Sequence, residues 1–261
     1  RYHHLILLAE NNQGYQNLMK IVSAGFTEGY YYKPRVDDEI LKKYHEGIIA
    51  SSACLAGEIA SDICRGFTDE AEKTAVKYQE IFGKDHFFLE LQDHGIAEQT
   101  LVNQTLMQMS GKLGIELIAT NDIHYTYHED EKPHDILLCL QTGKKLSDED
   151  RMRYTGGQYF VKSEEEMKKL FPYALQAIEN TQKIADRCHV EIEFHNTKLP
   201  HYEVPDSYDS WSYLNYLAYK GFAERYPDDD RTLKKRLDKE KNIKKNMGYV
   251  DYFLIVWDYI N

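Results

Sequence analysis

Short apolar segments alternate with longer helix-like segments through the first half of the sequence, and this alternation most constrains the fold. Four segments have the length and apolar character of buried strands, at residues 4–9, 47–52, 87–92 and 115–121. The stretches between them place apolar residues at helical spacing. Strands that alternate with helices of ten or more residues are typical of parallel βα units. The sequence therefore predicts an α/β fold, and four such units are about half of a closed barrel.

The second half of the sequence has a different pattern, in which helices dominate. Ser163 and Glu166 have the spacing of a capping box, which predicts a helix beginning there. The segment 196–212 contains Pro200, Pro205 and several polar residues, and it is the best linker in the chain. The other predicted elements are helices at 129–141, 163–171, 172–188, 213–226 and 231–247, a short strand at 158–161 and a final apolar run at 249–260.

Two of the predicted helices have an apolar stripe, which is expected to face the core. In the helix predicted at 11–23, the stripe consists of Tyr15, Leu18, Met19 and Val22. In the helix predicted at 129–141, it consists of Ile136, Leu137 and Leu140.

The charge balance and the cysteine pattern limit the functional class. There are 43 acidic and 32 basic side chains, a net charge of -11, which argues against a dedicated nucleic-acid-binding module but not against an enzyme that handles DNA elsewhere in a longer chain. No apolar run approaches the ~18 residues of a membrane span. There is no export signal, and the four cysteines form no CxxC pair. We therefore expect a soluble, cytoplasmic protein with no membrane partner.

Asp122 and His124 are the first candidates for chemistry, because they stand two residues apart at the end of the fourth predicted strand. Side chains at this spacing on extended backbone point to the same side. A carboxylate and an imidazole at the mouth of a βα barrel are good ligands for a divalent metal. Alone the pair is weak evidence, since chance supplies about one such pair in a chain of this composition. The alternative is that Asp122 caps the following turn.

Cys54 and His4 are two further candidates. Cys54 directly follows the second predicted strand, at the end where barrel sites form, whereas His4 opens the first strand and fits that arrangement less well. Taken separately, Cys54 reads as a small buried hydrophobe and His4 as a hydrogen-bonded core histidine. If both converged with Asp122 and His124, the result would be a mixed nitrogen, sulfur and oxygen site suited to zinc or another transition metal.

The remaining polar patterns have simpler interpretations. His94 and Glu98 are spaced for one helix face, but Gly95 favours a loop before a helix start. The basic run 231–245 is better explained as a solvated helix face than as a DNA contact. No Walker loop, GxGxxG or GxSxG is present. Five other histidines have no partner at ligand spacing and are expected to be surface or helix residues: His128, His134, His189, His195 and His201.

Several strings together resemble the PHP (polymerase and histidinol phosphatase) domain of the alpha subunits of bacterial DNA polymerase III. In chain order, these strings are HLILLAENNQGYQNLMKIVS, YYYKPRVDDEIL, GIIASSACLAGEI, FFLELQDHGIAEQ, IATNDIHYTYHED, PHDILLCLQTGKKLSD, QYFVKSEEEM and AIENTQKIADRCHVEIEF. The final GYVDYFLIVWDYI resembles the segment that opens the polymerase palm in the same family. The resemblance covers the chain almost from end to end, in the order of the family.

The resemblance implies a distorted (β/α)7 barrel, here without its first strands, followed by a mostly helical segment that leads into the palm. It implies a PHP domain at 1–200, a linker at 201–212 and the helical start of the palm at 213–261. In the family, up to three metals lie at the barrel mouth, bound by nine residues. Four of these match His4, Cys54, Asp122 and His124, and the earlier ligands would precede Arg1. Partial occupancy by Zn, Mn or Mg is therefore expected.

The resemblance also implies activities. An intact PHP site would hydrolyse phosphoesters with metal assistance, as a 3′–5′ proofreading nuclease or a pyrophosphatase, unless its metals only hold the fold. The parent would be a DNA-directed DNA polymerase that uses Mg²⁺, DNA and dNTPs, with a sliding clamp and a proofreading subunit as partners. The polymerase carboxylates would lie downstream, so no residue here belongs to that site and no primer extension is expected. The alternatives are a non-catalytic scaffold and, disfavoured by the palm-like segment, a free-standing phosphatase.

Overall fold

The structure, a computed structural model, describes residues 2–154, 156–196, 198–228 and 231–261. The chain divides into two compact units, Arg1–Ile192 and Glu193–Asn261. The first unit is a mixed α/β structure, and the regular secondary structure described in the second is helical. In the described part of the chain, no helix has both the length and the apolar character required to cross a membrane.

A sheet of four strands lies in the first unit, with the strands side by side in chain order. Its members are β1 (Ile6–Ala9), β2 (Ile48–Ser51), β3 (Phe87–Gln92) and β4 (Leu117–Thr120). β2, β3 and β4 run parallel, as predicted, whereas β1 runs antiparallel to β2. The prediction of parallel βα units is therefore wrong for β1.

The connection between β1 and β2 explains the antiparallel pairing. Two helices, α1 (Asn12–Thr27) and α2 (Asp38–Lys43), lie between these strands. They return the chain to the end of the sheet where β1 finished, so β2 starts beside the end of β1. The backbone N–H of Glu10, just after β1, donates to the carbonyl of Gly47, just before β2, at 2.8 Å. The start of β1 consequently lies beside the end of β2, and His4 and Cys54 are therefore at the same end of the sheet.

Six more α-helices lie in the described part of the first unit. β3 has the predicted bounds, and so does the helix after it, which the long helical pattern at 97–113 predicts. The capping box is also present, since the Ser163 hydroxyl accepts from Glu166 N–H at 3.3 Å and the Glu166 carboxyl accepts from Ser163 N–H at 2.8 Å. The helices are α3 (Glu58–Cys64), α4 (Thr68–Phe82), α5 (Ala97–Leu113), α6 (Glu131–Thr142), α7 (Glu164–Leu170) and α8 (Leu175–Arg187).

The sheet is covered on both faces. Every residue of β2 and β3 is buried. One face carries Ala50 and Leu89 and packs on the main apolar core, together with residues from α3, α4 and α5. The other face carries Ile49, Phe88 and Ile118, which pack against Ile184 of α8. Because side chains alternate along a strand, this second face continues toward the strand ends with Ser51, Glu90 and Thr120.

Three local predictions are wrong. In α1, Leu18 packs against the core as predicted, but Tyr15, Met19 and Val22 are exposed. The helix turns Ile21 and a hydrogen-bonded Asn17 toward the unit instead. In α6, the predicted stripe is exposed and the adjacent Leu138 and Cys139 are buried. Segment 158–161 forms one isolated bridge, between Tyr125 and Phe160, rather than a strand.

The described residues of the second unit form three helices, α9 (Ser210–Arg225), α10 (Thr232–Asn246) and α11 (Val250–Ile260). Leu254 of α11 is fully buried. Lys241 of α10 is also buried, with its ammonium group 3.6 Å from the centroid of the Tyr219 ring. The basic run predicted as a solvated helix face therefore contributes at least one cation to packing within this unit.

Candidate metal centre

His4 and Cys54 lie next to each other at the end of the sheet where β2 finishes. His4 Nδ1 lies 3.6 Å from Cys54 Sγ, and His4 N–H donates to the carbonyl of Ala56 at 3.0 Å. Two ligands of one tetrahedral zinc ion, with bonds of about 2.3 Å to sulfur and 2.0–2.1 Å to nitrogen, would be about 3.6 Å apart. The distance between these two atoms therefore fits a shared metal ion. His4 lies at the start of β1, which was expected to be the wrong end of the strand for this site. Because β1 runs antiparallel to β2, that start lies beside the end of β2.

The turn that presents Cys54 has little steric freedom. Gly57 N–H donates to the Cys54 carbonyl at 2.8 Å, and a Cβ at Gly57 would lie 2.2 Å from the carbonyl oxygen of Ser52. Ala53 has a φ of 61°, in the left-handed region that non-glycine residues rarely occupy. The backbone therefore turns sharply just before the thiol, and only glycine fits at position 57.

Electrostatics links Cys54 to Asp122. Burial raises the pKa of the Cys54 thiol, and the nearby charges of Asp122 and Glu90 raise it further. A thiol in these surroundings favours its neutral form, and a divalent cation would reverse that preference because metal binding displaces the thiol proton. The charge of the Asp122 carboxyl group is thus near enough to affect the Cys54 thiol.

His124 is oriented by its own loop. Its Nδ1 lies 2.7 Å from the carbonyl oxygen of Asp122 and must donate to it, which leaves Nε2 with the lone pair that a metal requires. Its backbone N–H donates to the carbonyl of Tyr159 at 2.8 Å. Asp122 has a φ of 41°, so the chain turns between the two predicted ligands instead of running straight through them.

Two residues near the site were not predicted from sequence. His134 of α6 makes a ring contact with His124, at 5.8 Å between centroids, and its pKa is lowered by burial and by His124. Glu90 lies on β3 and is only 6% exposed. The signal for Glu90 was its position as the one charged residue in the apolar string FFLELQ. His134 had no such signal, because it lies ten residues beyond His124 on a separate helix.

Glu90 is the centre of a buried polar cluster across three strands. Its carboxyl oxygens accept hydrogen bonds from Ser51, from Thr120 at 2.5 Å and from the Gln92 amide at 3.0 Å. Ser51 lies three residues before Cys54, and Thr120 two residues before Asp122. The cluster therefore ties together the strand ends that lead to two of the predicted ligands.

The four predicted ligands are assembled only in part. His4 is in contact with Cys54, and Asp122 acts on Cys54 through its charge. Among the residues that the structure describes, no three His, Cys, Asp or Glu side chains are grouped closely enough to hold a metal ion. The donor types fit zinc or another transition metal, and the His4–Cys54 pair also fits in distance.

Comparisons with known proteins agree along the chain. The model of the PHP domain family matches residues 1–94, and the model described as the bacterial DNA polymerase III alpha NTPase domain matches residues 212–261. The DNA polymerase III subunit alpha of Treponema pallidum (strain Nichols) is 43% identical over 261 residues, which is 100% of this chain and 22% of that protein. The subunit of Borreliella burgdorferi is 42% identical, over 99% of this chain and 23% of the relative.

A more divergent relative shows the same coverage. The DNA polymerase III subunit alpha of Thermus aquaticus is 34% identical, over 100% of this chain and 26% of that protein. The chain thus spans about a quarter of the length of these relatives. By sequence, the chain is a relative of the bacterial DNA polymerase III alpha subunits along its whole length, with PHP-domain sequence at residues 1–94.

Proposed function

We propose that this chain is the PHP portion and the beginning of the polymerase core of a replicative DNA polymerase. The full-length protein would then be a DNA-directed DNA polymerase that uses Mg²⁺, DNA and dNTPs in the cytoplasm, with a sliding clamp and a proofreading subunit as partners. The support is the identity to alpha subunits over the whole chain, 43% with the Treponema protein. The chain itself holds no proposed polymerase carboxylate, so we expect it to extend no primer.

The domain arrangement is part of the proposal. It consists of a PHP domain at 1–200, a linker at 201–212 and the helical start of the palm at 213–261. The PHP domain would be a distorted (β/α)7 barrel to which the described sheet contributes four strands. The support is that β2, β3 and β4 lie side by side in chain order and run parallel, as neighbouring strands of a βα barrel do.

The PHP portion is proposed to be a metal-dependent phosphoesterase, with hydrolysis of 3′ ends of DNA as the favoured reaction. His4, Cys54, Asp122 and His124 would hold the metal, which would be Zn, Mn or Mg. When bound, the metal would supply a nucleophilic hydroxide and stabilise charge on the phosphate oxygens. The chain's own residues would orient the donors: Asp122 O fixes the His124 ring, and the Cys54 turn aims the thiol at His4. The observation that carries this proposal is the 3.6 Å separation of His4 Nδ1 and Cys54 Sγ beside Asp122.

A non-catalytic scaffold is the second candidate. It is favoured by one observation, that the described residues contain no group of three potential ligands close enough to enclose a metal. In this case the polar cluster around Glu90 and any bound metal would stabilise the PHP portion while another protein removes mismatched nucleotides. A free-standing phosphatase receives little support, because residues 212–261 match an alpha-subunit domain.

Hydrolysis of a labelled single strand separates the two candidates. We expect the full-length protein to remove 3′ nucleotides in the presence of Zn²⁺ or Mn²⁺, and His124→Ala to reduce the rate by about a hundredfold or more, since loss of a metal ligand removes the activated water. His189→Ala is the matched control, because this histidine is exposed and lies outside the site. Bound metal without any hydrolysis by the unchanged protein would support the scaffold instead.

A further inference from the structure

His94 is a buried histidine outside the four ligand positions. It lies two residues after β3 and is 3% exposed. Its Nε2 lies 2.6 Å from the carbonyl oxygen of Asn121, and its Nδ1 lies 2.8 Å from Nε2 of Gln99. Each ring nitrogen therefore has one partner, and the two partners require opposite roles.

The protonation of this ring is fixed by its neighbours. Gln99 Oε1 accepts from the backbone N–H of His94 at 2.7 Å, which orients the amide so that its Nε2 donates to His94 Nδ1. The carbonyl of Asn121 can only accept, so His94 Nε2 carries the proton. Burial lowers the pKa of His94, which agrees with a neutral ring. His94 is thus a donor with a fixed direction.

Asn121, which accepts this hydrogen bond, immediately precedes Asp122. Its side-chain amide donates to the carbonyls of Gln158 and Phe160, at 3.3 and 2.5 Å. Its backbone carbonyl is held by His94 and its side chain by segment 158–160. The peptide unit that leads into the left-handed Asp122 is therefore held from two directions.

His94 also supports the segment that holds His124. Its ring stacks on Tyr159, with 4.0 Å between centroids and an angle of 8°. The carbonyl of Tyr159 accepts the backbone N–H of His124 at 2.8 Å. One buried ring therefore contacts both the residue before Asp122 and the residue that holds His124.

We propose that His94 is a positioning residue for the Asp122 and His124 ligand pair. It touches neither the metal nor the reacting atoms, and it acts by fixing the turn that presents both donors. This inference rests on the proposed function, because it requires that the pair binds a metal. Partners that orient ligands in this way typically contribute ten- to a hundredfold in metal affinity.

Two amide variants separate the hydrogen bond from the ring. In His94→Gln, the amide nitrogen reaches the position of Nε2 and still donates to Asn121, although the ring stack is lost. In His94→Asn, the shorter amide reaches only the position of Nδ1, so the Asn121 carbonyl loses its donor. Both variants lose the stack on Tyr159, and they therefore form a matched pair.

Co²⁺ titration of the full-length protein, followed by absorption spectroscopy, is the test. We expect His94→Gln to bind Co²⁺ within about threefold of the unchanged protein and with the same spectrum, whereas His94→Asn binds about tenfold more weakly and with an altered spectrum. Thermal unfolding without metal is measured for both. If His94→Asn fails to fold, Gln99→Met replaces it, because this change keeps the ring but removes the two hydrogen bonds that orient His94 toward Asn121. A several-fold loss of Co²⁺ affinity is then expected.

The outcomes have distinct meanings. Equal loss of Co²⁺ affinity in both amide variants, or no loss in either, would overturn the positioning role, as would unchanged affinity in Gln99→Met when that variant is used. If the unchanged protein bound no Co²⁺ at all, the proposed metal site would fail and this role with it. A loss confined to His94→Asn supports the role.

Discussion

Asp122→Asn is expected to lower the affinity of the full-length protein for Zn²⁺ or Co²⁺ by a factor of about one hundred. The substitution keeps the size of the side chain and removes the anionic oxygen that a divalent metal prefers over a neutral amide. Asparagine also tolerates the left-handed backbone observed at this position, with a φ of 41°. The loss should therefore arise from the missing ligand and not from a refolded turn.

The measurement is a metal titration by calorimetry, together with the unfolding midpoint of the metal-free protein. Asp186→Asn is the control, because Asp186 is exposed on α8 and lies outside the candidate site. We expect the control to bind metal with unchanged affinity. Unchanged affinity in Asp122→Asn would remove Asp122 from the ligand set.

Glu90→Ala is expected to lower the free energy of unfolding of the PHP portion by about 3 kcal/mol. The change removes the acceptor shared by two buried donors and one partly buried donor, and it leaves a cavity in the sheet. Each unsatisfied buried donor costs about 1–3 kcal/mol before the structure relaxes. Ser51 and Thr120 lose their acceptor, and the Gln92 amide loses one of its two, keeping its hydrogen bond to the Thr120 hydroxyl at 3.2 Å. We expect metal affinity to fall as well, because β2 and β4 lose the tie that spaces Cys54 from Asp122.

Urea unfolding of the metal-free protein measures this effect. Glu70→Ala is the matched control, because Glu70 is exposed on α4 and forms an exposed ion pair with Lys73; its change should stay within about 0.5 kcal/mol. Glu90→Gln keeps the volume and should cost less than alanine. A loss below 1 kcal/mol in Glu90→Ala would show that the polar cluster does not hold these strands together.

The sequence predicted the elements better than their directions. The bounds of β3 and α5 followed from a short apolar run and a long helical pattern between clear breaks. The antiparallel direction of β1 could not be predicted, because an apolar run looks the same in both directions and the two helices after it contained no signal of a return to the same edge. This difference matters for the site. A parallel β1 would place His4 at the opposite end of the sheet from Cys54, whereas the antiparallel β1 places it beside Cys54.

The candidate site was predicted as a set of ligands, not as a supported structure. Asp122 and His124 were recognisable because two donors stood at a strand end. The residues that hold this pair in place were not recognisable from the sequence. The contacts of His94 with Asn121 and of Glu90 with Thr120 join residues about thirty positions apart. The exposed apolar stripe of α6 shows a similar limit: helical spacing identifies a face, but the surrounding elements decide whether it is covered.

The central claim is that Cys54 binds a metal together with His4, Asp122 and His124. The most direct test is Co²⁺ absorption by the full-length protein, since a cobalt–thiolate bond gives a charge-transfer band that oxygen and nitrogen ligands do not. We predict this band in the unchanged protein and in Cys64→Ala, whose cysteine is exposed outside the site, and its loss in Cys54→Ala. A band that persists in Cys54→Ala, or no Co²⁺ binding by the unchanged protein, would contradict the claim.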